Sequence, residues 1–405
     1  MTATARSVDR HELTAWLRLT LTPRLGPGNA RRLLAAFGLP QRMFQADPTA
    51  LRDLLPPTQV HALQTAPPGL AHQVEATWQW LSQACGDRRV LTLADADYPA
   101  ALLHTEDPPL MLYAMGQALA APGPLAWPEA IAVVGSRNPT PQGAINARQF
   151  ARSFVHSGWC VVSGLALGVD AAAHEGALEG ASNLASHVPA TLAVVGTGLD
   201  LVYPSQHQAL AQRIAAHGLI LSEYPLGTPP LSANFPRRNR ILSALARGTL
   251  VVEAAMRSGS LITARLAAEQ GREVFAIPGS IHSTQSRGCH ALIKQGAKLV
   301  ETAQEVLDEL PALARSEIAT ESVGGGSSAP GAATHPPSPP RAEAPQASRT
   351  DPILDALGHD PTTLDALAAR TGLDTATLLT RLLDLELQGA LARMPGGLYQ
   401  RTALA

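Results

Sequence analysis

The sequence predicts an α/β protein: a doubly wound, mostly parallel sheet, flanked by a small N-terminal helical domain and a C-terminal winged-helix-like domain. Three observations lead there. Six short apolar runs, rich in β-branched residues, recur between 131 and 277. Each is continuous rather than alternating, as strands buried on both faces are. The runs are separated by segments long enough for crossover helices, and right-handed βαβ units then build a doubly wound sheet. Beyond a Pro-rich break near 340, helical leucine periodicity returns and ends in a hairpin pattern.

Residues 1–85 read as helical. Within them Leu25-Gly26-Pro27-Gly28-Asn29 leads into Ala30-Arg31-Arg32-Leu33-Leu34, a glycine-bracketed turn into a helix. Such a turn is either an ordinary helix–helix connection or a helix-hairpin-helix whose amides hold a phosphate. Residues 86–127 read as a connecting segment. The domain spanning 128–310 holds the strand runs 131–135, 160–163, 192–195, 219–222, 250–253 and 274–277. Residues 311–350 read as a disordered linker, because Pro330, Pro336, Pro337, Pro339, Pro340 and Pro345 stand among Ala, Ser and Gly without apolar periodicity. Residues 351–405 read as three short helices followed by strands at 390–394 and 397–400, the outline of a winged helix.

With 45% hydrophobic and 16% charged residues, the 405-residue chain has the composition of a soluble globular protein of more than one domain. No apolar run approaches the ~18 residues of a membrane span, and Met1 to Arg10 lacks a signal-peptide core, so a cytoplasmic location is expected. Cys85, Cys160 and Cys289 are far apart and form no CxxC pair, which excludes a disulfide scaffold and a cysteine zinc site. The net charge of −2 is unevenly spread: residues 130–300 carry 14 Lys and Arg against 8 Asp and Glu, whereas residues 301–405 carry 7 against 14. A basic middle between neutral and acidic ends points to a local anionic partner.

In a doubly wound sheet, ligands sit outside the carboxyl ends of the strands. Those ends read Gly135-Ser136-Arg137, Ser163-Gly164, Gly196-Thr197-Gly198, Ser222-Glu223-Tyr224 and Pro278-Gly279-Ser280. Small, glycine- and hydroxyl-rich turns let backbone amides approach a phosphate at a helix start. The densest charge, Asn234-Phe235-Pro236-Arg237-Arg238-Asn239-Arg240, combines guanidinium forks with one ring, as single-strand binding sites do. Cations at a helix start oppose its dipole, a cost that a bound polyanion offsets. Phe235 is open to core packing or to base stacking. Arg257-Ser258-Gly259-Ser260 opens another helix, where the hydroxyls cap the helix or hold a phosphate.

Familiar nucleotide motifs are missing. Gly196-Thr197-Gly198-Leu199-Asp200 lacks the third glycine of GxGxxG, and nothing matches GxxxxGK[ST]. Asp170 and His174, four residues apart, form either an acid–base pair or structural hydrogen bonds, and no nucleophile stands beside them. No set of His, Asp and Glu has metal spacing, so neither metal nor cofactor is expected.

Taken in order, Val133-Val134-Gly135-Ser136-Arg137, the stretch from Ser163-Gly164-Leu165 to Asp170 and His174, Gly196-Thr197-Gly198-Leu199-Asp200 with Tyr203-Pro204, Ser222-Glu223-Tyr224-Pro225, Phe235-Pro236-Arg237-Arg238-Asn239-Arg240-Ile241 and Ser258-Gly259-Ser260-Leu261 closely resemble the DprA (Smf) family. The resemblance spans about 130–300. It implies a Rossmann-like domain that binds single-stranded DNA, dimerises, and loads RecA recombinase onto incoming strands during natural transformation. It implies no catalysis. By motif, Arg137, Arg238, Asn239 and Arg240 would hold phosphates and Phe235 would meet a base. Ser163, Gly164, Gly259, Ser260 and Gly279 would line the same pocket, with Gly135, Ser136, Arg237 and Ser258 beside them. Leu292 and Ile293 would lie at the dimer surface.

The sequence departs from the family pattern in two places. His290 stands where an Asn is usual, and Ala181 to Ala190 is slightly long. An enzymatic alternative, related to nucleotide phosphoribohydrolases with PGGxGTxxE, finds only Glu253-Ala254-Ala255-Met256-Arg257-Ser258-Gly259-Ser260 at the comparable place. A sequence-specific regulator acting through the tail is opposed by charge, since residues 351–401 hold 4 Arg against 7 Asp and Glu. Duplex DNA, met through Arg381 on the third helix at 375–388, and another protein remain the two partners open to the tail.

Overall fold

The computed structural model describes residues 9–83, 87–121, 125–181, 188–310, 351–357 and 361–402. The expected linker at 311–350 and most of the long loop after Ala181 lie outside the described residues. The chain divides into two compact units, the first ending at Leu310 and the second holding the C-terminal helices and hairpin.

The first unit is built on nine strands: β1 (Arg88–Thr92), β2 (Met111–Met115), β3 (Ala130–Val134), β4 (Cys160–Ser163), β5 (Thr191–Val194), β6 (Leu219–Ser222), β7 (Gly248–Val251), β8 (Glu273–Ala276) and β9 (Lys298–Leu299). Their order is β1-β2-β6-β5-β4-β3-β7-β8-β9. All pairings from β6 to β9 are parallel, and β1 and β2 extend the sheet antiparallel from β6. The six strands expected from sequence appear within two residues of their predicted bounds. Both faces of β3 are covered, which explains its unbroken apolar run. Ile131 and Val133 pack with Phe150 and Phe154 of helix Pro141–His156, while Ala132 and Val134 pack with Ile241 and Leu242 of helix Asn234–Leu245.

Residues 86–127 are not a mere connection: they supply β1 and β2. Met111-Leu112-Tyr113-Ala114-Met115 has no β-branched residue, so propensity gives no strand signal there, and burial against the sheet decides the structure. Six N-terminal helices pack on the same face, with Trp80 edge-on to Tyr113 at 6.0 Å between ring centroids. At the glycine-bracketed turn, Arg31 pairs with Asp107 and donates to the carbonyls of Glu106 (3.1 Å) and Pro108 (3.3 Å). That side chain holds the helical region to the sheet.

The second unit is a winged helix. Helices Pro352–Leu357, Leu364–Thr371 and Thr375–Leu387 stand with β10 (Thr362–Thr363), β11 (Leu391–Met394) and β12 (Leu398–Arg401), in the antiparallel order β10-β12-β11. Leu367, Leu378, Leu382, Leu385 and Tyr399 form its core. Asp374 caps the third helix by accepting from the amides of Ala376 (3.1 Å) and Thr377 (3.0 Å).

Candidate nucleic-acid interface

The chain winds outward from β3 through β4, β5 and β6, then returns to place β7 on the other side of β3. The two windings diverge there, opening a crevice beyond the carboxyl ends of β3 and β7. It is a cleft of about 680 Å³ lined by residues 134–138, by Asp170 and Tyr203, by helix Asn234–Leu245 and by residues 255–260.

Close backbone approach shapes the cleft. A Cβ at Gly135 would stand 2.7 Å from Val169 and 2.9 Å from the Glu253 carbonyl, and one at Gly168 (φ +80) would strike the carbonyl of Ser136. Only glycine fits at these two turns. The loop after β3 is then pinned to β7: Thr140 donates its amide (2.9 Å) and hydroxyl (2.6 Å) to the Glu253 carboxylate, while its hydroxyl oxygen caps the next helix at the Gly143 amide (3.0 Å). Burial pushes the Glu253 carboxyl above its ordinary range, against the pull of the Thr140 bonds.

Arg238 forms the floor. Its side chain is buried, and one guanidinium nitrogen donates to the carbonyl oxygens of Gly164 (2.7 Å) and Val194, bridging the ends of β4 and β5. Gly164 must be glycine because a Cβ would collide with that guanidinium at 2.2 Å. Asp170, also buried, accepts from the amides of Gly164 (3.2 Å) and Ala166 (3.3 Å). Burial raises its carboxyl, opposed first by the charge of Arg238. The floor is therefore a fixed positive group with a carboxylate already engaged by the loop.

Asp170 and His174 do not pair. Thr191 donates its hydroxyl to the Val161 carbonyl (2.8 Å), so it accepts from His174 Nδ1 at 2.7 Å. His174 is fully buried and burial drives its pKa down to about 3. The structural reading of both residues holds.

The mouth of the cleft is different. Arg137 is exposed, with its guanidinium 5.9 Å from the centroid of the Phe235 ring. Phe235 in turn lies 5.5 Å from Tyr203, which is 48% exposed, giving two partly open rings beside a cation. In the same lining Arg257 precedes Ser258 and Ser260, whose hydroxyls bond each other at 2.7 Å at the start of helix Ser260–Glu269. A Cβ at Gly259 would meet nothing within 4 Å, so that turn is open to a ligand. Among the described residues, Arg137, Arg237 and Arg257 make no ion pair with a carboxylate.

Of the residues singled out from sequence, Gly135, Ser136, Arg137, Phe235, Arg238, Asn239, Ser258, Gly259 and Ser260 line the cleft. Arg240 does not: it pairs with Glu223 (2.5 Å) and Asp107 (3.2 Å). Four residues on in a helix is more than one turn, but Arg240 is two from Arg238 and so faces elsewhere. Ser163 also turns away, donating to the Val133 carbonyl at 2.7 Å and tying β4 to β3. Gly164 stands behind Arg238. Gly279 is exposed and outside the cleft, its carbonyl 2.9 Å from His290 Nε2. Arg237 is exposed beside the cleft but does not line it. Tyr203 and Arg257 were not among the expected contacts. The Tyr203-Pro204 pair was the available signal for the first, and its position just before the Ser258-Gly259-Ser260 turn that opens a helix was the signal for the second.

The family model described as DNA recombination-mediator protein A matches residues 89–311, more than half the chain. The chain belongs to that family. A model of the DprA winged helix domain matches residues 337–397. Protein Smf of Synechocystis is 34% identical over 412 residues, covering 96% of this chain and 99% of that one. Protein Smf of Escherichia coli is 39% identical over 328 residues, 80% of each chain. The X-ray structure of DNA processing protein A from Streptococcus pneumoniae superposes with a TM-score of 0.57 at 34% identity, covering 76% of this chain and 99% of that one. The family's matched region thus includes β1 and β2 as well as the cleft.

Proposed function

We propose that the cleft holds the sugar–phosphate backbone of single-stranded DNA. Arg137 and Arg257 would meet phosphates at the mouth, and Phe235 and Tyr203 would stack bases. The observation that carries this reading is that two guanidiniums without a carboxylate partner among the described residues, Arg137 and Arg257, line one glycine- and hydroxyl-rich cleft, and the one carboxylate among its lining residues, Asp170, is spent on loop amides. The lining is dominated by backbone, hydroxyls, rings and cations suited to phosphate and stacking, so binding is expected to be largely indifferent to sequence. Asp170 and His174 are each engaged elsewhere, which favours binding over turnover. A base-release assay on nucleoside monophosphates separates this from the hydrolase alternative, with no release expected.

In the cell this reading makes the protein a mediator that protects incoming strands and loads RecA recombinase in transformation and recombination. A relative, DNA processing protein DprA of Streptococcus pneumoniae, 45% identical over 218 residues, supports that direction. Self-association through the end of the sheet belongs to the same proposal. Leu292 and Ile293 are half-buried against the core, while Ile281 and Leu299 nearby in sequence are 74% and 49% exposed. Light scattering of the full chain checks it, with a monomer at tens of micromolar the contrary result. Gel-shift titration with single- and double-stranded oligonucleotides tests the main proposal. Tighter binding of the single strand is expected, and equal affinity for both would overturn it.

A further inference from the structure

We propose that the outer face of helix Thr375–Leu387 in the winged-helix unit docks a protein segment whose apolar residues are flanked by lysine or arginine. In a winged helix or helix-turn-helix, the helix at this place is the one that enters a DNA groove. Here it is built for something else. Leu378, Leu382 and Leu385 face the core, while Leu379, Leu383 and Leu387 are 43%, 56% and 80% exposed. Spaced four apart, the exposed three form one stripe about two turns long. Single exposed leucines on a surface need no explanation, but three in register on one helix do.

The charges beside the stripe decide the partner. Asp384 and Glu386 stand exposed on this helix. Its only cation, Arg381, is held by Asp351 at 2.7 Å. Elsewhere in the unit Arg370 donates to the Ala356 carbonyl (3.0 Å) and Arg401 lies 3.9 Å from Asp355, while Arg393, exposed without an ion pair among the described residues, is on strand β11 and not on this helix. With seven Asp and Glu against four Arg in 351–401, a polyanion is repelled at this face. A second copy would bring the same carboxylates against themselves. A stripe three side chains long also suits a helix or short segment better than a dimer interface of about 1,200–2,000 Å². Apolar contact framed by opposite charge is the mode in which an amphipathic helix docks.

The test uses the full chain and two fluorescein-labelled synthetic helical peptides. One carries a leucine stripe flanked by lysines, and the other has glutamate at each lysine. Fluorescence anisotropy should show binding of the lysine peptide and none of the glutamate peptide. Leu383→Glu and Leu387→Glu should each weaken the lysine peptide at least tenfold with unchanged melting temperature, because both side chains point to solvent. Each of these substitutions adds negative charge, so loss of affinity cannot come from electrostatics alone. Absence of binding, equal binding of both peptides, or indifference to both substitutions would overturn the proposal. So would a fall in molecular mass of Leu383→Glu by light scattering, which would assign the stripe to a second copy. Loss of duplex affinity in Leu383→Glu would assign it to DNA and overturn it equally.

Discussion

In the cleft at the end of the parallel sheet, Arg137 and Arg257 reach solvent with no carboxylate in ion-pair range. In the winged-helix unit, Arg381 is held by Asp351 and Arg370 and Arg401 are bonded to carbonyls of their own unit, which leaves Arg393 on β11 as the one of its four arginines exposed without an ion pair among the described residues. Both regions have architectures that nucleic-acid binders use. What separates them is whether most of the cations have already been satisfied. A guanidinium held by a carboxylate must give up that partner to meet a phosphate, whereas a free one gives up only water. Within the cleft the same distinction divides neighbours: Arg238 is a buried brace across two strand ends, and Arg137 is exposed with no ion-pair partner among the described residues.

The largest expected effect tests that last division. Arg238→Ala should cost about 3 to 5 kcal/mol of folding stability in chemical denaturation, because Asp170 loses its buried counter-charge and two strand-end carbonyls lose their donor. A normal denaturation midpoint with lost DNA affinity would make Arg238 a contact like Arg137. Next is the buried imidazole beneath the same floor. Its folded pKa of about 3 lies below the ordinary 6.5, so the unfolded chain binds the extra proton. Stability through His174 is therefore full above about pH 6.5 and is lost as pH falls toward 3. His174→Gln should shrink the stability difference between pH 7 and pH 5 by up to about 2 kcal/mol. An unchanged difference would mean the ring is protonated in the fold.

At the mouth, Phe235→Ala and Tyr203→Ala should each weaken single-strand binding by about 1–3 kcal/mol, measured by anisotropy on an unstructured oligonucleotide. No loss at Tyr203 would reduce the platform to one ring. Smallest is the effect of removing the winged-helix unit. Deletion of 349–405 should change single-strand affinity by no more than about 1 kcal/mol, roughly fivefold. A loss beyond tenfold would place DNA contacts in the region where three of the four arginines are already engaged, and the comparison would fail.

The parallel strands and the tail helices were legible because continuous apolar runs and leucine periodicity report burial directly. β1 and β2 were not. β2 has no β-branched residue, β1 is short and opens with two arginines, and the pairing of β2 with a distant β6 fixes both. In the site, Gly135 and Arg137 were readable from strand-end chemistry. The roles of Arg238 and Arg240 were not, since a cluster of arginines in sequence does not say which faces Glu223, which crosses under Gly164 and which reaches solvent. Leu379 and Leu383 counted toward the tail's helical periodicity. The same pattern could not show that they face outward.

The central claim is that free cations at the cleft mouth, and not the paired ones nearby, hold single-stranded DNA. The salt dependence of binding tests it most directly, comparing the full chain with Arg137→Ala/Arg257→Ala and with Arg240→Ala. The double variant should flatten the log–log slope by about 1.4, two phosphate contacts at about 0.7 each, with an unchanged melting temperature. Arg240→Ala should keep the parent slope. A double variant that retains the full slope, or an Arg240→Ala that loses as much, would contradict the account.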